Sequence, residues 1–107
     1  MQAKAMAKLL RVLSTSRRVE ILTILLDAET PVASSTVASF LQIKDAHASY
    51  NLIKLSEVGL ISRTPHGRHV FYSANRRLIS EIQAFFDVKH ESRQEEKIVN
   101  QSLKDQA

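Results

Sequence analysis

The 107-residue sequence contains no cysteine, which excludes a disulfide framework, a thiolate metal site and a thiol redox sensor. It also has no apolar run near the roughly 20 residues that cross a bilayer, so we expect no membrane partner. The first 13 residues carry Lys4, Lys8 and Arg11 and lack a small-residue cleavage site. This pattern argues against a secretory signal and leads us to expect a cytoplasmic protein.

Enzymatic function is also disfavoured by what is missing. The two glycines do not form a phosphate-cradling loop, and no candidate nucleophile has a base beside it. A chain of this length makes one compact domain, residues 1–107, with too little sequence to enclose a substrate pocket as well. We therefore predict that the protein is not an enzyme and needs no cofactor.

The charge is biased towards cations. Lys and Arg outnumber Asp and Glu by 15 to 11, for a formal charge of +4, which favours a polyanionic partner through counterion release. Four basic or titratable side chains surround the only Pro-x-Gly sequence, namely Arg63, His66, Arg68 and His69. The position of this cluster points to a function more directly than the small net charge does.

Helical periodicity predicts three helices in the first 44 residues. The first is amphipathic, and its apolar residues are Met6, Leu9, Leu10 and Leu13. The second, over residues 19–26, is apolar on nearly every side and should be central, with capping oxygens at residues 14–16. A break at residues 27–31 precedes a short third helix, which is followed by a turn at residues 42–44. This third helix carries Val37, Phe40 and Leu41, with Ser34 or Ser35 as its cap.

The next segment predicts a helix with two distinct faces. It begins at about Asp45, and its apolar face consists of Ala48, Leu52 and Leu55, beside a stripe of His47, Tyr50, Asn51 and Lys54. We expect the apolar face to pack on the core and the stripe to be free to contact a partner. Gly59 should end this helix, because glycine tolerates a left-handed conformation.

The rest of the sequence predicts a hairpin and a last helix. Residues 60–64 and 69–72 are rich in branched and aromatic side chains and are joined by residues 65–68. A helical pattern follows at Leu78, Ile79, Ile82, Phe85 and Phe86, and residues 91–107 form a polar, partly frayed tail. The predicted fold is mainly α with a small β-hairpin wing, a winged helix-turn-helix of order α-α-α-α-β-β-α.

Three segments in this order resemble the ArsR/SmtB family of winged-helix repressors. They are Leu13-Ser14-x-x-Arg17-Arg18-x-Glu20-Ile21-Leu22, Ser49-x-x-Leu52-x-x-Leu55-x-x-x-Gly59-Leu60-Ile61 and Gly67-Arg68-x-Val70-x-Tyr72. The resemblance covers residues 13–72, more than half of the chain. It implies a homodimer that binds a near-palindromic operator in double-stranded DNA and represses transcription.

The resemblance further implies that the first and last helices, residues 1–13 and 75–90, form the dimer interface. The apolar stripes of these helices independently require a cover, because so small a domain has little core of its own. The predicted interface residues are Met6, Leu9, Leu10, Leu13, Leu78, Ile82, Phe85 and Phe86.

The family's metal-binding positions carry other side chains in this chain. Residues 35–40, where the family has a pair of cysteines, contain no Cys, His, Asp or Glu. The second family site falls on Arg76, Leu78, Lys89 and Ser92. Arginine, leucine and lysine do not bind a divalent cation, so we predict a regulator without metal sensing. Its control would lie in its abundance, a partner protein or an organic ligand at the dimer interface. A further group, Asp87, His90 and Glu91, is interpreted as a solvent-exposed pattern.

By the same resemblance, the fourth helix and the hairpin hold DNA. Base reading is assigned to His47, Tyr50 and Asn51, phosphate contact to Ser49 and Lys54, and contact with the flanking minor groove or its phosphates to Arg63, His66 and Arg68. Two positions depart from the family pattern. Asn51 replaces the usual histidine and should shift the sequence preference, whereas Gln42 replaces a common turn glycine and should strain or loosen the turn.

Other interpretations of the same residues stay open. The polar stripe could be an ordinary solvated helix face, and Arg63 and Arg68 could be edge-strand charges that prevent sheet aggregation. The winged helix could also serve as a protein-docking or assembly module, because a fold does not fix a function.

Overall fold

A computed structural model describes residues 1–87, which form five helices and three strands. The elements are α1 (Ala3–Val12), α2 (Ser16–Asp27), β1 (Val32–Ala33), α3 (Ser34–Leu41), α4 (Asp45–Glu57), β2 (Ile61–His66), β3 (His69–Ala74) and α5 (Arg76–Phe85). This arrangement confirms the predicted winged helix-turn-helix fold. The expectations for positions 88–107, which include Lys89, His90, Glu91, Ser92 and the polar tail, lie outside the described residues.

The core lies between the central helices and the base of the sheet. Its largest fully buried side chains are Ile21, Leu25, Val37, Leu52, Leu55 and Leu60. The predicted packing face of α4 is confirmed, because Ala48, Leu52 and Leu55 are all 0% exposed. Helix α2 buries Ile21, Leu22 and Leu25, as expected of a central helix, but Val19 is 46% exposed although the segment is apolar on nearly every side. One stripe of α2 is enough to fill its share of the core, and Val19 lies off that stripe.

The helix starts follow local chemistry only in part. Thr15 caps α2, because its Oγ1 accepts a hydrogen bond from the Arg18 backbone N–H at 3.4 Å. The predicted serine cap of α3 is wrong. The residue before this helix is Ala33, which has no side chain that could cap, and Ser34 is already helical. The chain enters α3 directly from β1, so the strand fixes where the helix begins.

The sheet is antiparallel, with strand order β1-β3-β2. Strand β1 was not predicted, because two residues carry no alternation and its pairing with β3 depends on residues far along the chain. The wing strands extend to His66 and Ala74, so only Gly67 and Arg68 remain in the turn. Gly67 has φ +62°, which fits the first central position of a type II′ turn.

Pro65 therefore belongs to β2, and the prediction that it lies in the connection between the wing strands is wrong. A proline has no backbone N–H to donate, and β2 lies at the edge of the sheet, where one side needs no ladder bond. Within residues 1–87, no helix is both long and apolar enough to cross a membrane.

Candidate nucleic-acid interface

A three-residue turn joins α3 to α4 and sets the angle between them. Gln42 has φ 54° and ψ 45°, a left-handed conformation. Its N–H donates to the Ser39 carbonyl at 3.2 Å, and the Ile43 N–H donates to the Ala38 carbonyl at 3.0 Å. These two bonds form a Schellman motif, which usually has glycine at the left-handed position. The predicted strain at Gln42 agrees with this conformation, because a side chain is disfavoured there.

The outward face of α4 presents an aromatic ring, an apolar side chain and a cation. Tyr50 is 57% exposed and Ile53 is 44% exposed. The Lys54 Nζ lies 5.4 Å from the centroid of the Tyr50 ring, a cation–π contact one helical turn apart. His47 is exposed on the preceding turn, and Ser49 is half-buried. Apart from Asn51, the predicted side chains of α4 therefore reach the surface.

Asn51 does not fit its predicted role in base reading. Its side chain is 5% exposed and lies with the buried face of α4. Its Oδ1 accepts a hydrogen bond from Arg18 Nη1 at 3.2 Å, and its Nδ2 donates to the His47 carbonyl at 3.0 Å. Because both ends of the amide are engaged inside the protein, Asn51 is not available to a base edge.

Sequence reasoning missed Ile53 as a surface residue. Branched apolar residues on a helix are usually assigned to the packing face, but the three buried apolar residues of α4, Ala48, Leu52 and Leu55, already define a face that excludes residue 53. Ile53 lies three residues from Tyr50 and next to Lys54 on the exposed side. The offset of residue 53 from the apolar face was the signal that could have identified it.

The wing carries two arginines and a histidine that have no acidic neighbour. Arg63, His66 and Arg68 are all exposed. Residues 58–80 contain no Asp or Glu, and among the described residues no salt bridge involves Lys54, Arg63 or Arg68. The wing therefore keeps its positive charge available to a polyanion.

The tip of the wing has a second, aromatic feature. His66 and His69 are directly opposite each other across the turn. Their rings pack edge to face against Phe71, with centroid separations of 6.2 and 6.4 Å. These contacts give the projecting hairpin side-chain packing of its own.

Asn75 fixes the wing relative to α4. Its Nδ2 donates to the Gly59 carbonyl at 2.9 Å, and its backbone N–H donates to the Leu60 carbonyl at 2.9 Å. Its Oδ1 also accepts from the Leu78 N–H at 3.2 Å and caps α5. Gly59 itself ends α4 with φ +81°, as predicted. One residue thus joins the end of α4, the base of the wing and the start of α5.

The two predicted dimerisation helices carry exposed apolar side chains. Leu10 is 44%, Phe85 38% and Phe86 54% exposed, and the two phenylalanine rings lie 5.1 Å apart between centroids. Leu13, Leu78 and Ile82 are half-buried against the core. Met6 and Leu9 do not fit the predicted interface, because they are only 2% and 6% exposed in the single chain. Leu9 packs into the hydrophobic core, to which Met6 does not belong, whereas Leu10 faces outward.

Among residues 1–87, no group of three or more His, Cys, Asp or Glu side chains could hold a metal ion. Arg76, which occupies one of the positions of the second family metal site, binds backbone carbonyls instead. Its Nη2 donates to the Leu26 carbonyl at 2.7 Å and to the Ala28 carbonyl at 3.2 Å. A cation at the end of α2 satisfies carbonyls that lack helical partners.

Solved structures with the same fold were found by comparison. An ArsR-like transcriptional regulator from Rhodococcus sp. RHA1 superposes with a TM-score of 0.72 at 21% identity, over 97% of this chain and 93% of that one. A homodimeric winged helix-turn-helix DNA-binding domain from Mycobacterium bovis is described as a possible ArsR-family regulator. It superposes with a TM-score of 0.64 at 26% identity, over 80% of this chain and 82% of that one. Reduced HlyU from Vibrio cholerae N16961 superposes with a TM-score of 0.64 at 22% identity, over 77% of this chain and 85% of that one.

No protein-family model and no curated protein sequence matches the chain. The structural neighbours nevertheless include ArsR-family and HlyU winged-helix proteins. The resemblance to the ArsR/SmtB family carried by three sequence segments is therefore also a resemblance of the fold.

Proposed function

We propose that this chain is a DNA-binding transcriptional regulator of the ArsR type that acts as a homodimeric repressor. The observation that carries the proposal is the exposed face of α4 beside a wing whose arginines have no acidic neighbour. A helix with free polar and apolar side chains fits the major groove, and a cationic hairpin fits the adjacent backbone or minor groove. The structural neighbours described as DNA-binding or transcriptional regulators support the same function.

In this proposal, each exposed group has a distinct task. His47 and Tyr50 read base edges, and Ile53 contacts a thymine methyl group. Ser49 and Lys54 contact phosphates, which fixes the register without adding sequence information. The contacts beside the major groove come from Arg63, His66 and Arg68. Two copies related by a dyad would bind half-sites about one helical turn, or roughly 10 base pairs, apart.

Repression follows if the bound dimer occupies a promoter. The absence of the family's metal ligands from residues 35–40 supports control by something other than a metal ion. We propose that an organic ligand, a partner protein or the abundance of the regulator sets its occupancy in the cytoplasm. The exposed apolar residues of α1 and α5 support dimerisation through these helices.

The test is the affinity of the purified protein for DNA at several salt concentrations. The DNA is the sequence that the wild-type protein enriches from a random pool, and a scrambled duplex serves for comparison. Replacement of Lys54, Arg63 and Arg68 together by alanine should abolish retention on both duplexes, because three phosphate contacts per protomer are lost. The matched control replaces Lys4, Lys8 and Arg77, which removes the same charge from α1 and α5, and sedimentation velocity verifies that both triple variants have the oligomeric state of the wild type.

Equal losses in the two triple variants would contradict the proposal, since binding would then depend only on net charge. A wild-type protein that enriches no sequence would also contradict it. That outcome would favour a protein-docking role for the same winged helix.

A further inference from the structure

Arg18 connects three helices through its guanidinium group. It lies in the first turn of α2, and its Nε–H donates to the Val12 carbonyl at the end of α1 at 2.6 Å. Its Nη1–H donates to Asn51 Oδ1 in the middle of α4 at 3.2 Å. Asn51 Nδ2–H in turn donates to the His47 carbonyl at 3.0 Å. The chain of hydrogen bonds therefore runs from the end of α1 to the turn of α4 that carries His47.

The polar pair occupies a position where an apolar residue would be expected. Asn51 lies among Ala48, Leu52 and Leu55, each 0% exposed. A buried amide costs free energy unless its hydrogen bonds are satisfied, and here both ends are satisfied. Apolar packing alone tolerates small rotations and shifts of a helix, whereas hydrogen bonds require a particular distance and angle. The pair therefore fixes the placement of α4 more narrowly than a leucine at position 51 would.

We propose that Arg18 and Asn51 are positioning residues that set the rotation of α4 relative to the end of α1. This proposal rests on the DNA-binding function argued above and adds two residues that touch no DNA. Through Val12, the link joins the end of a proposed dimerisation helix to the helix that reads bases. The half-site geometry set by the dimer is thereby transmitted to the orientation of His47, Tyr50 and Ile53.

A misplaced α4 should damage base reading more than phosphate binding. Base contacts depend on the direction of each donor and acceptor, whereas attraction to phosphates tolerates small displacements. Loss of the link should therefore lower the affinity for the enriched sequence and leave the affinity for scrambled DNA nearly unchanged. A substitution that affects only stability would lower neither of these two affinities at temperatures well below unfolding.

The experiment compares Arg18→Lys, Asn51→Leu and the double variant with the wild type. Lysine keeps the charge but lacks the planar fork that reaches two acceptors. Each single variant should lose about tenfold in affinity for the enriched sequence, and less than about twofold for scrambled DNA. The double variant should lose no more than either single variant, because both substitutions remove the same link. Arg17→Lys is the matched control, since Arg17 contacts Glu20 at 3.7 Å on the same helix and should change little.

Amide hydrogen exchange of the free protein provides a readout that does not depend on DNA. Arg18→Lys and Asn51→Leu should both accelerate exchange at residues 13–15 and 47–52, and Arg17→Lys should not. The proposal is overturned if the two losses add, if both duplexes lose affinity equally, or if exchange is unchanged. If the wild type enriches no sequence, the DNA-binding function fails, and the exchange pattern alone then decides whether the link positions α4.

Discussion

Two residues occupy the same place in the same motif but differ in side chain. Gly59 ends α4 at φ +81°, and Gln42 ends α3 at φ 54°. In both cases the residue donates its N–H three residues back, and the following residue donates five residues back. A left-handed conformation costs an ordinary side chain about 1–2 kcal/mol, whereas glycine adopts it freely. The same helix-ending motif is therefore strained at Gln42 and unstrained at Gly59.

Replacing Gln42 by glycine should stabilise the fold. The free energy of unfolding is expected to rise by about 0.5–1 kcal/mol, because relief of the strain exceeds the added freedom of the unfolded chain. Gly59→Gln should lower it by about 1–2 kcal/mol for the opposite reason. A Cβ at position 59 would meet only Leu78 Cδ2 at 3.9 Å, so the effect is one of backbone conformation. Urea unfolding measures the free energy of unfolding of both variants. A Gln42→Gly variant less stable than the wild type would contradict the proposed strain at Gln42.

Asn51 shows what periodicity cannot decide for a single residue. Positions 48, 51, 52 and 55 follow the spacing of one helical face, and positions 47, 50, 51 and 54 follow the spacing of the neighbouring one. Residue 51 belongs to both patterns, so the spacing fits a buried and an exposed side chain equally well. The deciding contact comes from Arg18, which is 33 residues away in the chain. Burial of a polar residue depends on such a partner, and the partner is not visible in local sequence.

At the level of elements, the helices were predictable and the short strand was not. Each helix has an apolar stripe, which local sequence displays directly. Strand β1 has two residues and exists because β3 pairs with it. The wing strands were predicted too short, because five of the six residues of β2 are exposed and show no alternation of buried and exposed positions. Tertiary pairing sets the limits of these strands.

The junction at Asn75 yields a prediction at this scale. Asn75→Ala removes both the cap of α5 and the bond to the Gly59 carbonyl, and should cost about 1–3 kcal/mol of unfolding free energy. Asn75→Ser keeps a capping oxygen but loses the Nδ2 donor, so its stability should lie between those of the wild type and the alanine variant. Thermal and urea unfolding test this order. Equal stability of the alanine and serine variants would contradict a contribution from the cap.

On the scale of the whole molecule, residues 3–87 have two sets of exposed apolar side chains besides Tyr50 and Ile53 on the proposed DNA-binding face of α4. One set lies on α1 and α5, at Leu10, Phe85 and Phe86. The other lies on α2 and α3, at Val19 and Phe40, which are 46% and 74% exposed. Exposure alone would therefore favour the second set as an interface. The resemblance to the ArsR/SmtB family favours the first.

Paired glutamate substitutions distinguish these two surfaces. Leu10→Glu with Phe86→Glu should convert the proposed dimer to a monomer, because two buried carboxylates per protomer cannot be accommodated in an apolar interface. Val19→Glu with Phe40→Glu adds the same charge elsewhere and should leave the dimer intact. Sedimentation velocity gives the oligomeric state, and circular dichroism confirms that each variant is folded. A monomer produced by the second pair alone would move the interface to α2 and α3.

The division between phosphate contact and base contact can be measured by salt dependence. Arg63→Ala should reduce the slope of log Kobs against log salt by about 0.9 per contact, or about 1.8 for a dimer, on any duplex. Ile53→Ala should leave the slope unchanged and weaken only the enriched sequence, by about three- to tenfold, since an apolar contact releases no counterion. Ile53 is already 44% exposed, so this variant should fold normally. The proposal is contradicted if Ile53→Ala changes the slope or if Arg63→Ala weakens binding to the enriched duplex alone. Either result would mean that α4 does not contact the bases, or that the wing does not contact the phosphates, as proposed.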